Sequence, residues 1–499
     1  MSTPVKSAAI EIVRTLRERG YQAYLVGGCV RDLLLGREPA DYDVATDATP
    51  DEVMRIFPQT WAVGAQFGVV LVPVESICPP GRGRAAADRE PESKEPYPLD
   101  DSEAVPTQEE RDLAHLHDST AQQRVIEVAT FRSDGLYTDG RHPDEVTYTA
   151  DPREDVQRRD FTINGLLLDP IAKEVLDYVG GRADLDAGII RTIGSPHRRF
   201  AEDKLRMMRA VRFAARFGYT IESATFAAIR ELAPQIHVVS RERVREELTK
   251  MLTEGHARRA FELLDETGLL REVLPEVAAM KGVDQPPQFH PEGDVWVHTL
   301  LMLEKLPRPC PKTLAWGVLL HDVGKPPTFR VAPDRIRFDG HVEVGVRMAE
   351  DICRRLRFSN DDTAQIAALV ANHMRFADAP KMKPSTLKRF VRLPRFDEHL
   401  ELHRIDCLAS HMDLSNYEFV RQKIAEMPPE EIRPRPLITG NDLIAAGYQP
   451  GPRFKQILSA LEDAQLEGRL RSKEDAMEFV RREFPLEAIQ EQPRRGGRQ

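Results

Sequence analysis

The stretch Gly27–Asp47, GGCVRDLLLGREPADYDVATD, places two aspartates on either side of a tyrosine, directly before Val-Ala-Thr. In a β-strand, residues i and i+2 point to the same face, so we expect Asp41 and Asp43 to project side by side, opposite Tyr42. Adjacent carboxylates repel each other unless a cation lies between them, and oxygen ligands suit Mg²⁺. Such a pair is typical of metal-dependent nucleotidyl transfer, although an isolated Asp-X-Asp also occurs on solvated edge strands.

The residues around the aspartates favour the metal-binding interpretation. Gly27 and Gly28 lack side chains, so their backbone N–H groups can approach a triphosphate. Arg31 follows about one helical turn later. A second cationic stretch, EDVQRRDFTINGLLLDP at 154–170, carries the adjacent pair Arg158-Arg159, whose alternative role is a surface ion pair.

A third stretch, 198–218 (RRFAEDKLRMMRAVRFAARFG), is strongly basic although the chain has a formal net charge of −10. A local basic patch can bind phosphate whatever the total charge. Four arginines spaced 3, 3 and 4 residues apart share one helix face, and Asp203 precedes the first of them by one turn. With no acidic residue interleaved, this stripe suits phosphate binding better than a solvated surface. The four are Arg206, Arg209, Arg212 and Arg216.

The rest of the chain predicts an α/β head on a long helical body. At 499 residues the chain is long enough for about three domains. Short β-branched strands and short helices alternate up to about residue 200, and a helical pattern dominates beyond it. The helices expected there, before a further helical block that follows Arg433, span 201–216, 222–232, 240–252, 257–267, 296–305, 312–321, 342–356, 361–373 and 385–391.

Composition also predicts where the protein resides. The five cysteines are far apart and form no CxxC pair, which fits a reducing cytoplasm and argues against a structural zinc knuckle. No apolar run approaches the roughly 18 residues of a membrane span, and the first residues resemble no signal peptide. The segment 76–123 is rich in proline and charge, so we expect a disordered insertion there.

Four long motifs of this sequence resemble those of a known family. LVGGCVRDLLLGREPADYDVATDATP, RRDFTINGLLLDP, DYVGGRADLDAGIIRTIG and FAEDKLRMMRAVRFAARFG are similar, in order and spacing, to the motifs of bacterial class II tRNA nucleotidyltransferases and the related poly(A) polymerases. The resemblance covers roughly residues 20–260, and the C-terminal PLITGNDLIAAGYQPGPRFKQILSALEDAQLEGRL is similar too.

The resemblance implies an α+β fold whose α/β nucleotidyltransferase head is polymerase-beta-like. An all-α neck, an HD body and a C-terminal helical domain follow the head. The expected bounds are 1–195 for the head, 196–285 for the neck, 286–415 for the HD domain, 430–485 for the C-terminal domain and 486–499 for a disordered tail.

The resemblance also assigns roles in the head. Asp41 and Asp43 match the family's catalytic, metal-binding carboxylates, with Mg²⁺ as the expected ion. Asn164 is a further candidate for contacting the nucleotide, and Glu127 for supporting the metal site. The residues that match nucleotide contacts are Gly28, Arg31, Arg159, Asp203, Arg206, Arg209 and Arg212.

The hydrogen-bonding groups of the four bases determine which of them a protein side chain can select. Cytosine and adenine both present an amino donor beside a ring-nitrogen acceptor, whereas uracil and guanine present a carbonyl acceptor beside an N–H donor. A carboxylate next to a guanidinium, such as Asp203 with Arg206, would accept C and A and reject U and G. We therefore expect nucleotide selection without a nucleic-acid template.

The body carries a series of histidines and aspartates that resembles the HD superfamily of metal-dependent phosphohydrolases. By that resemblance His298, His321, Asp322 and Asp406 would bind one metal ion, and His341 with His373 would allow a second. Imidazole and carboxylate ligands suit Mn²⁺, Ni²⁺ or Fe more than Mg²⁺.

Together these observations predict a cytoplasmic enzyme that adds C and A from CTP and ATP to the 3′ acceptor end of tRNA, with an HD phosphohydrolase activity. Alternatives are a poly(A) polymerase, an enzyme that adds only A, and an HD hydrolase with a degenerate RNA-binding head. The segment VGAQFGVV at 63–70 lacks the arginine-rich GRRF of poly(A) polymerases, and the long segment 132–160 disfavours an enzyme adding only CC. The sequence leaves the oligomeric state open.

Overall fold

The computed structural model describes residues 4–57, 59–62, 68–77, 125–135, 146–288, 290–333 and 335–486. Most of the proposed insertion, most of the segment at 63–70, part of the loop at 132–160 and nearly all of the tail therefore lie outside the described residues. The chain divides into two compact units. One comprises Met1–Glu247 and Glu262–Val273, and the other comprises Leu248–Phe261 and Leu274–Gln499.

The first unit contains a mixed sheet whose strands run in the order β3-β4-β2-β1-β7-β8. Strands β2 and β4 are parallel, and the other neighbours in this sheet are antiparallel. A separate antiparallel pair is formed by β5 and β6. The strands are β1 (Ala23–Val26), β2 (Asp43–Thr46), β3 (Val69–Pro73), β4 (Val125–Thr130), β5 (Arg132–Asp134), β6 (Val146–Tyr148), β7 (Leu166–Asp169) and β8 (Glu174–Asp177).

Local sequence signals explain the helices that surround this sheet. Thr49 and Glu52 form a capping box at the start of α3, where Pro50 is the first helical residue. The helix α8 ends at Gly218, whose φ of 70° lies in the left-handed region that glycine favours. The helices are α1 (Pro4–Glu18), α2 (Gly28–Leu34), α3 (Pro50–Ile56), α4 (Val74–Ile77), α5 (Pro152–Gln157), α6 (Gly181–Ala187), α7 (Pro196–Glu202), α8 (Leu205–Phe217) and α9 (Ser223–Leu232).

Beyond residue 240 the chain is almost entirely helical, which confirms the expected α+β class with strands concentrated in the head. Outside the head sheet there are two further short strand pairs in the described residues. Ile189–Ile190 pairs with Thr220–Ile221 before residue 240, and Arg330–Val331 pairs with Ile336–Arg337 beyond it. The helices are α10 (Arg241–Thr253), α11 (Ala257–Glu266), α12 (Leu269–Val273), α13 (Pro275–Ala278), α14 (Val295–Glu304), α15 (Lys312–Leu320), α16 (Lys325–Thr328), α17 (His341–Arg355), α18 (Asn360–Asn372), α19 (Pro384–Val391), α20 (Phe396–Ala409), α21 (Ser415–Glu426), α22 (Pro429–Ile432), α23 (Gly440–Ala445), α24 (Pro452–Leu466) and α25 (Lys473–Glu483).

The helices predicted from 222 to 391 agree with these bounds to within one residue. The continuous helix predicted at 201–216 was wrong, because Asp203 is extended and separates α7 from α8. The helices α20 and α21 were missed, as were the short helices α12, α13, α16 and α22. The start of the proposed insertion was placed too early, since residues 76–77 belong to α4. Among the helices described, none is both long and apolar enough to cross a membrane.

In the second unit, two glycines allow the turn that begins α16 to lie directly against α17. A Cβ atom at Gly324 would lie 2.1 Å from the carbonyl oxygen of His341 and 2.6 Å from the backbone nitrogen of Gly345. Because both neighbours are backbone atoms, neither can rotate away. This close approach places the chain just after Asp322 beside the helix that begins at His341.

We predict that Gly324→Ala lowers the free energy of unfolding by about 2–3 kcal/mol, because the added methyl group overpacks a backbone contact. Gly451→Ala is the matched control, since its φ of 169° is extended backbone and nothing lies within 4 Å of its Cβ position. Its expected effect is within about 0.5 kcal/mol. Urea unfolding followed by circular dichroism measures both, and equal midpoints for the two variants would contradict the prediction.

Candidate active site and candidate metal centre

Asp43 is the first residue of β2 and lies between two neighbours in the sheet. It is in register with Val26 of β1 on one side and with Glu127 of β4 on the other. Side chains in register on adjacent strands share a face, so Glu127 lies beside Asp43. Asp41 is exposed and precedes the strand, and Tyr42 is buried. The prediction that both aspartates lie within the strand was therefore wrong for Asp41.

The carboxyl group of Asp43 is held in an environment that disfavours its negative charge. Burial, followed by the charge of Glu127, raises the pKa of Asp43 to about 7, while the Arg159 guanidinium opposes the rise and Asp41 adds to it. Repulsion among neighbouring carboxylates of this kind is relieved when a cation binds between them. The arrangement therefore fits a divalent metal held by Asp41 and Asp43, with Glu127 beside them.

Two guanidinium groups lie against the glycine turn that follows β1. A Cβ atom on Gly27 would lie 3.3 Å from Nη1 of Arg159, and one on Gly28 would lie 3.5 Å from Nη2 of Arg31. Gly27 also has a φ of 75°, which side chains disfavour. Arg159 is held from behind by the carboxylate of Asp155, with an Nη2–Oδ2 distance of 3.0 Å. The turn and the two cations form a surface suited to a triphosphate.

A hydrogen-bonded chain connects this turn to helix α8. Nη1 of Arg31 donates to Oδ1 of Asn164 (2.6 Å), and Nδ2 of Asn164 donates to Oδ1 of Asp160 (3.0 Å). Oδ2 of Asp160 in turn accepts from Nη2 of Arg209 (2.7 Å). Burial alone would raise the pKa of Asp160, but the charge of Arg209 and the hydrogen bond from Asn164 lower it to about 2. Arg31, Asn164 and Arg209 are thus brought together around one ionised carboxylate.

Arg206 and Arg212 of α8 also have carboxylate partners. The carboxylate of Asp203 pairs with Arg243 (2.7 Å), whereas Arg206 pairs with Glu202 (2.7 Å). Asp203 and Arg206 are therefore paired with other residues rather than with each other. Arg212 is buried and bonded to Glu247 at 2.7 Å. No acidic residue is interleaved in the stripe, but the partner of Arg206 lies one turn before it, and the partners of Arg209 and Arg212 lie 49 and 35 positions away in the sequence.

In the second unit, the predicted metal ligands lie together in a buried cluster. Nε2 of His298 is 3.3 Å from Oδ1 of Asp406, and Nε2 of His321 is 3.1 Å from Oδ2 of Asp322. Nε2 of His373 and of His341 are 3.7 Å and 3.9 Å from Oδ1 of Asp322. The rings follow one another at centroid distances of 5.4, 5.5 and 5.6 Å in the order His298, His321, His373, His341.

The hydrogen bonding of these four histidines fits a metal centre. Within the described part of the chain, the Nε2 atom of each is buried without a hydrogen-bond partner. The Nδ1 atom of each is hydrogen-bonded, to a backbone carbonyl or to a carboxylate. An imidazole whose Nδ1 carries the proton offers a lone pair on Nε2, which is the form that binds a metal ion.

Sequence reasoning missed several groups around this centre. Nζ of Lys325 lies 2.7 Å from Oδ2 of Asp322 and donates to Oε1 of Gln285 at 2.6 Å. Glu292 contacts His298 and His290 through one carboxylate oxygen. The signals were the position of Lys325 three residues after Asp322 and the density of His and Glu in HPEGDVWVH. A cavity of about 760 Å³ opens beside the centre, and its lining includes His290, Lys325, Arg337, Phe338, His341 and Asp406.

Comparison with known proteins agrees with this arrangement. The "Poly A polymerase head domain" model matches residues 23–77 and 88–191, the model for a "Probable RNA and SrmB- binding site of polymerase A" matches 218–281, and the HD domain model matches 294–406. The CCA-adding enzyme of Streptococcus mutans is 28% identical over 95% of this chain and 97% of its own. Over its head, RNA-binding and HD regions the chain is therefore similar to tRNA nucleotidyltransferases and poly(A) polymerases.

Solved structures of the nucleotidyltransferase family agree over nearly the whole chain. A Bacillus stearothermophilus CCA-adding enzyme in complex with CTP has a TM-score of 0.65 and 27% identity, and covers 97% of this chain and 99% of its own. The CCA-adding enzyme of Geobacillus thermodenitrificans is more similar in sequence, at 39% identity, but over 53% of this chain. The chain spans about half the length of that relative, 54%. The family's head and the HD domain both indicate dependence on divalent metal ions.

We predict that the stability of the metal-free protein falls as the pH rises from 4 to 7, because of Asp43. Its pKa in the folded state, about 7, lies above the ordinary value of 3.8. The folded protein therefore retains a proton that the unfolded chain has lost. The stabilisation is complete below about pH 4 and is lost as the pH approaches 7. Asp43→Asn should remove this loss and gain about 2 kcal/mol over the wild type between pH 4 and pH 8, after a discount for partial exposure.

Asp51→Asn is the control, because Asp51 is exposed on α3. Urea unfolding in the presence of EDTA at both pH values measures the difference. A constant difference between Asp43→Asn and the wild type across this range would contradict the prediction.

Proposed function

We propose that this protein adds C and A residues, taken from CTP and ATP, to the 3′ end of tRNA without a nucleic-acid template. The observation that carries the proposal is the group of carboxylates around Asp43 next to the glycine turn with Arg31 and Arg159. In the reaction, the RNA 3′-OH attacks the α-phosphate and pyrophosphate leaves. Asp41 and Asp43 would hold Mg²⁺, which when bound polarises the attacking hydroxyl and neutralises charge on the leaving phosphates.

The side chains around this group would bind and orient the nucleotide. Gly28 and the guanidinium groups of Arg31 and Arg159 offer donors for the triphosphate. The chain of hydrogen bonds through Asn164 and Asp160 holds Arg31 in place, which supports a fixed position for the phosphates relative to Asp43. Arg209 belongs to the same network, and we propose that it faces the nucleotide from α8.

Base selection would use Asp203 and Arg206, which together offer an acceptor and a donor. Both groups have other partners, Arg243 and Glu202. We propose that a cytosine or adenine takes the place of these partners when the nucleotide binds. Arg212 would support this surface from behind, because its guanidinium is buried against Glu247.

The names of the relatives support CCA addition over poly(A) synthesis or addition of A alone. The tRNA acceptor end, CTP and ATP are accordingly the proposed partners, and the cytoplasm is the proposed location. We also propose the domain bounds 1–195, 196–285, 286–415 and 430–485 for the head, neck, HD domain and C-terminal domain.

A second function, metal-dependent phosphoester hydrolysis, is favoured by the four unpartnered Nε2 atoms at the HD centre. His298, His321, Asp322 and Asp406 would bind one ion, with His341 and His373 available to a second. Imidazole and carboxylate ligands favour Mn²⁺, Ni²⁺ or Fe, which when bound would activate water. The cavity beside the centre carries Lys325 and Arg337, whose charges suit a phosphate group.

The first test uses three tRNAs, ending at the discriminator base, at C and at CC, each incubated with one labelled nucleotide. The intact protein should add C to the first two and A to the third. Asp41→Ala or Asp43→Ala should reduce incorporation at least ~100-fold, since transition-state charge loses its stabilisation. Asp51→Asn, exposed on α3, should retain full incorporation. Addition of A to every substrate would identify a poly(A) polymerase, and activity within ~10-fold of wild type in both alanine variants would contradict the assigned carboxylates.

For the HD centre, we predict hydrolysis of 2′,3′-cyclic nucleotides in the presence of Mn²⁺ or Ni²⁺, measured by release of the monoester. His321→Ala should abolish it, because a missing ligand misplaces the activated water. Nucleotide addition should persist in this variant. His197→Ala, a histidine paired with Glu231 in the first unit, is the control. If the intact protein hydrolyses neither cyclic phosphates nor other small phosphoesters with any of several metals, the second function must be abandoned.

A further inference from the structure

Three of the four histidines at the HD centre are oriented by the backbone. Nδ1 of His321 donates to the carbonyl of Val318 (2.8 Å), and Nδ1 of His373 donates to the carbonyl of Val370 (2.7 Å). Both histidines directly follow the last residue of a helix, where carbonyl groups lack helical partners. His341 begins a helix and donates from Nδ1 to the carbonyl of Phe338 (2.9 Å). In each case the acceptor lies three residues earlier.

His298 lacks such a backbone acceptor because it lies inside helix α14. The carbonyl three residues earlier, that of Val295, already accepts from Oγ1 of Thr299 at 2.8 Å. The carbonyl four residues earlier, that of Asp294, accepts from the backbone N–H of His298 itself. Nδ1 of His298 is bonded instead to Oε1 of Glu292 at 2.6 Å.

Glu292 is placed to serve two imidazoles at once. The same oxygen, Oε1, lies 2.9 Å from Nδ1 of His290, whose ring is 4.8 Å from that of His298 and lines the cavity beside the centre. The side chain of Glu292 is only 6% exposed, and its second oxygen is buried without a hydrogen-bond partner in the described part of the chain. This carboxylate therefore joins an imidazole on the metal side to one on the cavity wall.

We propose that Glu292 is a positioning residue that fixes the tautomer and ring orientation of His298, so that the Nε2 lone pair faces Asp406 and the metal. It replaces, with a side chain, the backbone acceptor that the other three histidines use. The same carboxylate holds His290 at the wall of the cavity. The inference rests on the proposed HD metal centre. Carboxylate partners of metal-binding histidines commonly contribute ~10–100-fold to metal affinity.

An alternative is that His290, Glu292 and His298 themselves bind a metal ion, since three of their ligand atoms lie close together. The geometry disfavours this role. A metal on Nδ1 of His298 would compete with the ion at Nε2 unless the ring lost both protons, which a neutral imidazole does not do. The alternative makes a distinct prediction about the number of ions bound.

The test is a titration of the full-length protein with Co²⁺, followed by calorimetry and by visible d–d absorption. Asp41→Asn and Asp43→Asn are present throughout, so that binding at the head does not interfere. Glu292→Ala should bind Co²⁺ ~10–100-fold more weakly than this parent and with an altered absorption spectrum. Glu292→Gln keeps an acceptor oxygen for Nδ1–H and should recover most of the affinity. Circular dichroism of Glu292→Ala and Glu292→Gln shows whether each variant is folded, so that a loss of affinity is not mistaken for a failure to fold.

Two further variants separate the roles. Glu304 lies on the same helix as His298 and is an exposed carboxylate paired with Arg258. Glu304→Ala should bind Co²⁺ with the affinity of the parent. His290→Ala should also keep the parent's Co²⁺ affinity, since Oε1 still accepts from His298, but should raise KM for hydrolysis at the cavity.

Equal affinity of Glu292→Ala and the parent would overturn the inference while leaving the metal centre intact. Loss of one of two bound ions in both Glu292→Ala and His290→Ala would overturn it in favour of a metal-binding role. Absence of Co²⁺ binding by the parent would overturn the proposed centre and the inference together, so the two failures are distinguishable.

Discussion

The head depends on the burial of a carboxylate among other carboxylates. The strand pairings of β2 force Asp43 into register with Glu127, and burial then raises the pKa of Asp43 to about 7. A sheet that needed only stability would place an apolar residue there, since a partly buried carboxylate beside a second carboxylate lowers stability. In the proposed function, a bound cation would relieve this repulsion. The guanidinium groups at the glycine turn are positioned around the same charge.

The arginines of the head show how a carboxylate partner can hold a guanidinium group in place while the group keeps N–H donors for a ligand. Arg31 and Arg159 each have a carboxylate partner close in sequence, Asp32 one residue away and Asp155 four residues away. These partners fix the orientation of the guanidinium groups, and a guanidinium has enough donors to bind a phosphate as well. Under the proposed function, a guanidinium group that is already held by a carboxylate would lose less conformational entropy when the nucleotide binds.

Much of this organisation could be predicted from the sequence, and the exceptions have physical reasons. Helices with an apolar stripe, such as Asn360–Asn372, were predicted to within one residue. The helix Phe396–Ala409 was missed because polar residues, including Glu398 and His399, occupy its buried face and hide its period. Asp41 and Asp43 could be chosen as candidates from their spacing and the residues around them, whereas the partners of the α8 arginines come from residues up to 49 positions away. Sequence spacing carries no information about such pairings until the sheet and helices are assembled.

The two candidate centres use different ligand chemistry, and this difference has a consequence for the whole chain. The head offers carboxylate oxygens, one exposed and one partly buried, which suit a hard ion that keeps several waters. The HD centre offers four imidazole nitrogens, each oriented by a hydrogen bond at its other nitrogen, which suit transition metals. If each proposed centre selects its ion by ligand type, a change in the supply of one metal would leave the other proposed reaction unaffected. Under the proposed functions, the two activities would then depend on different metal ions.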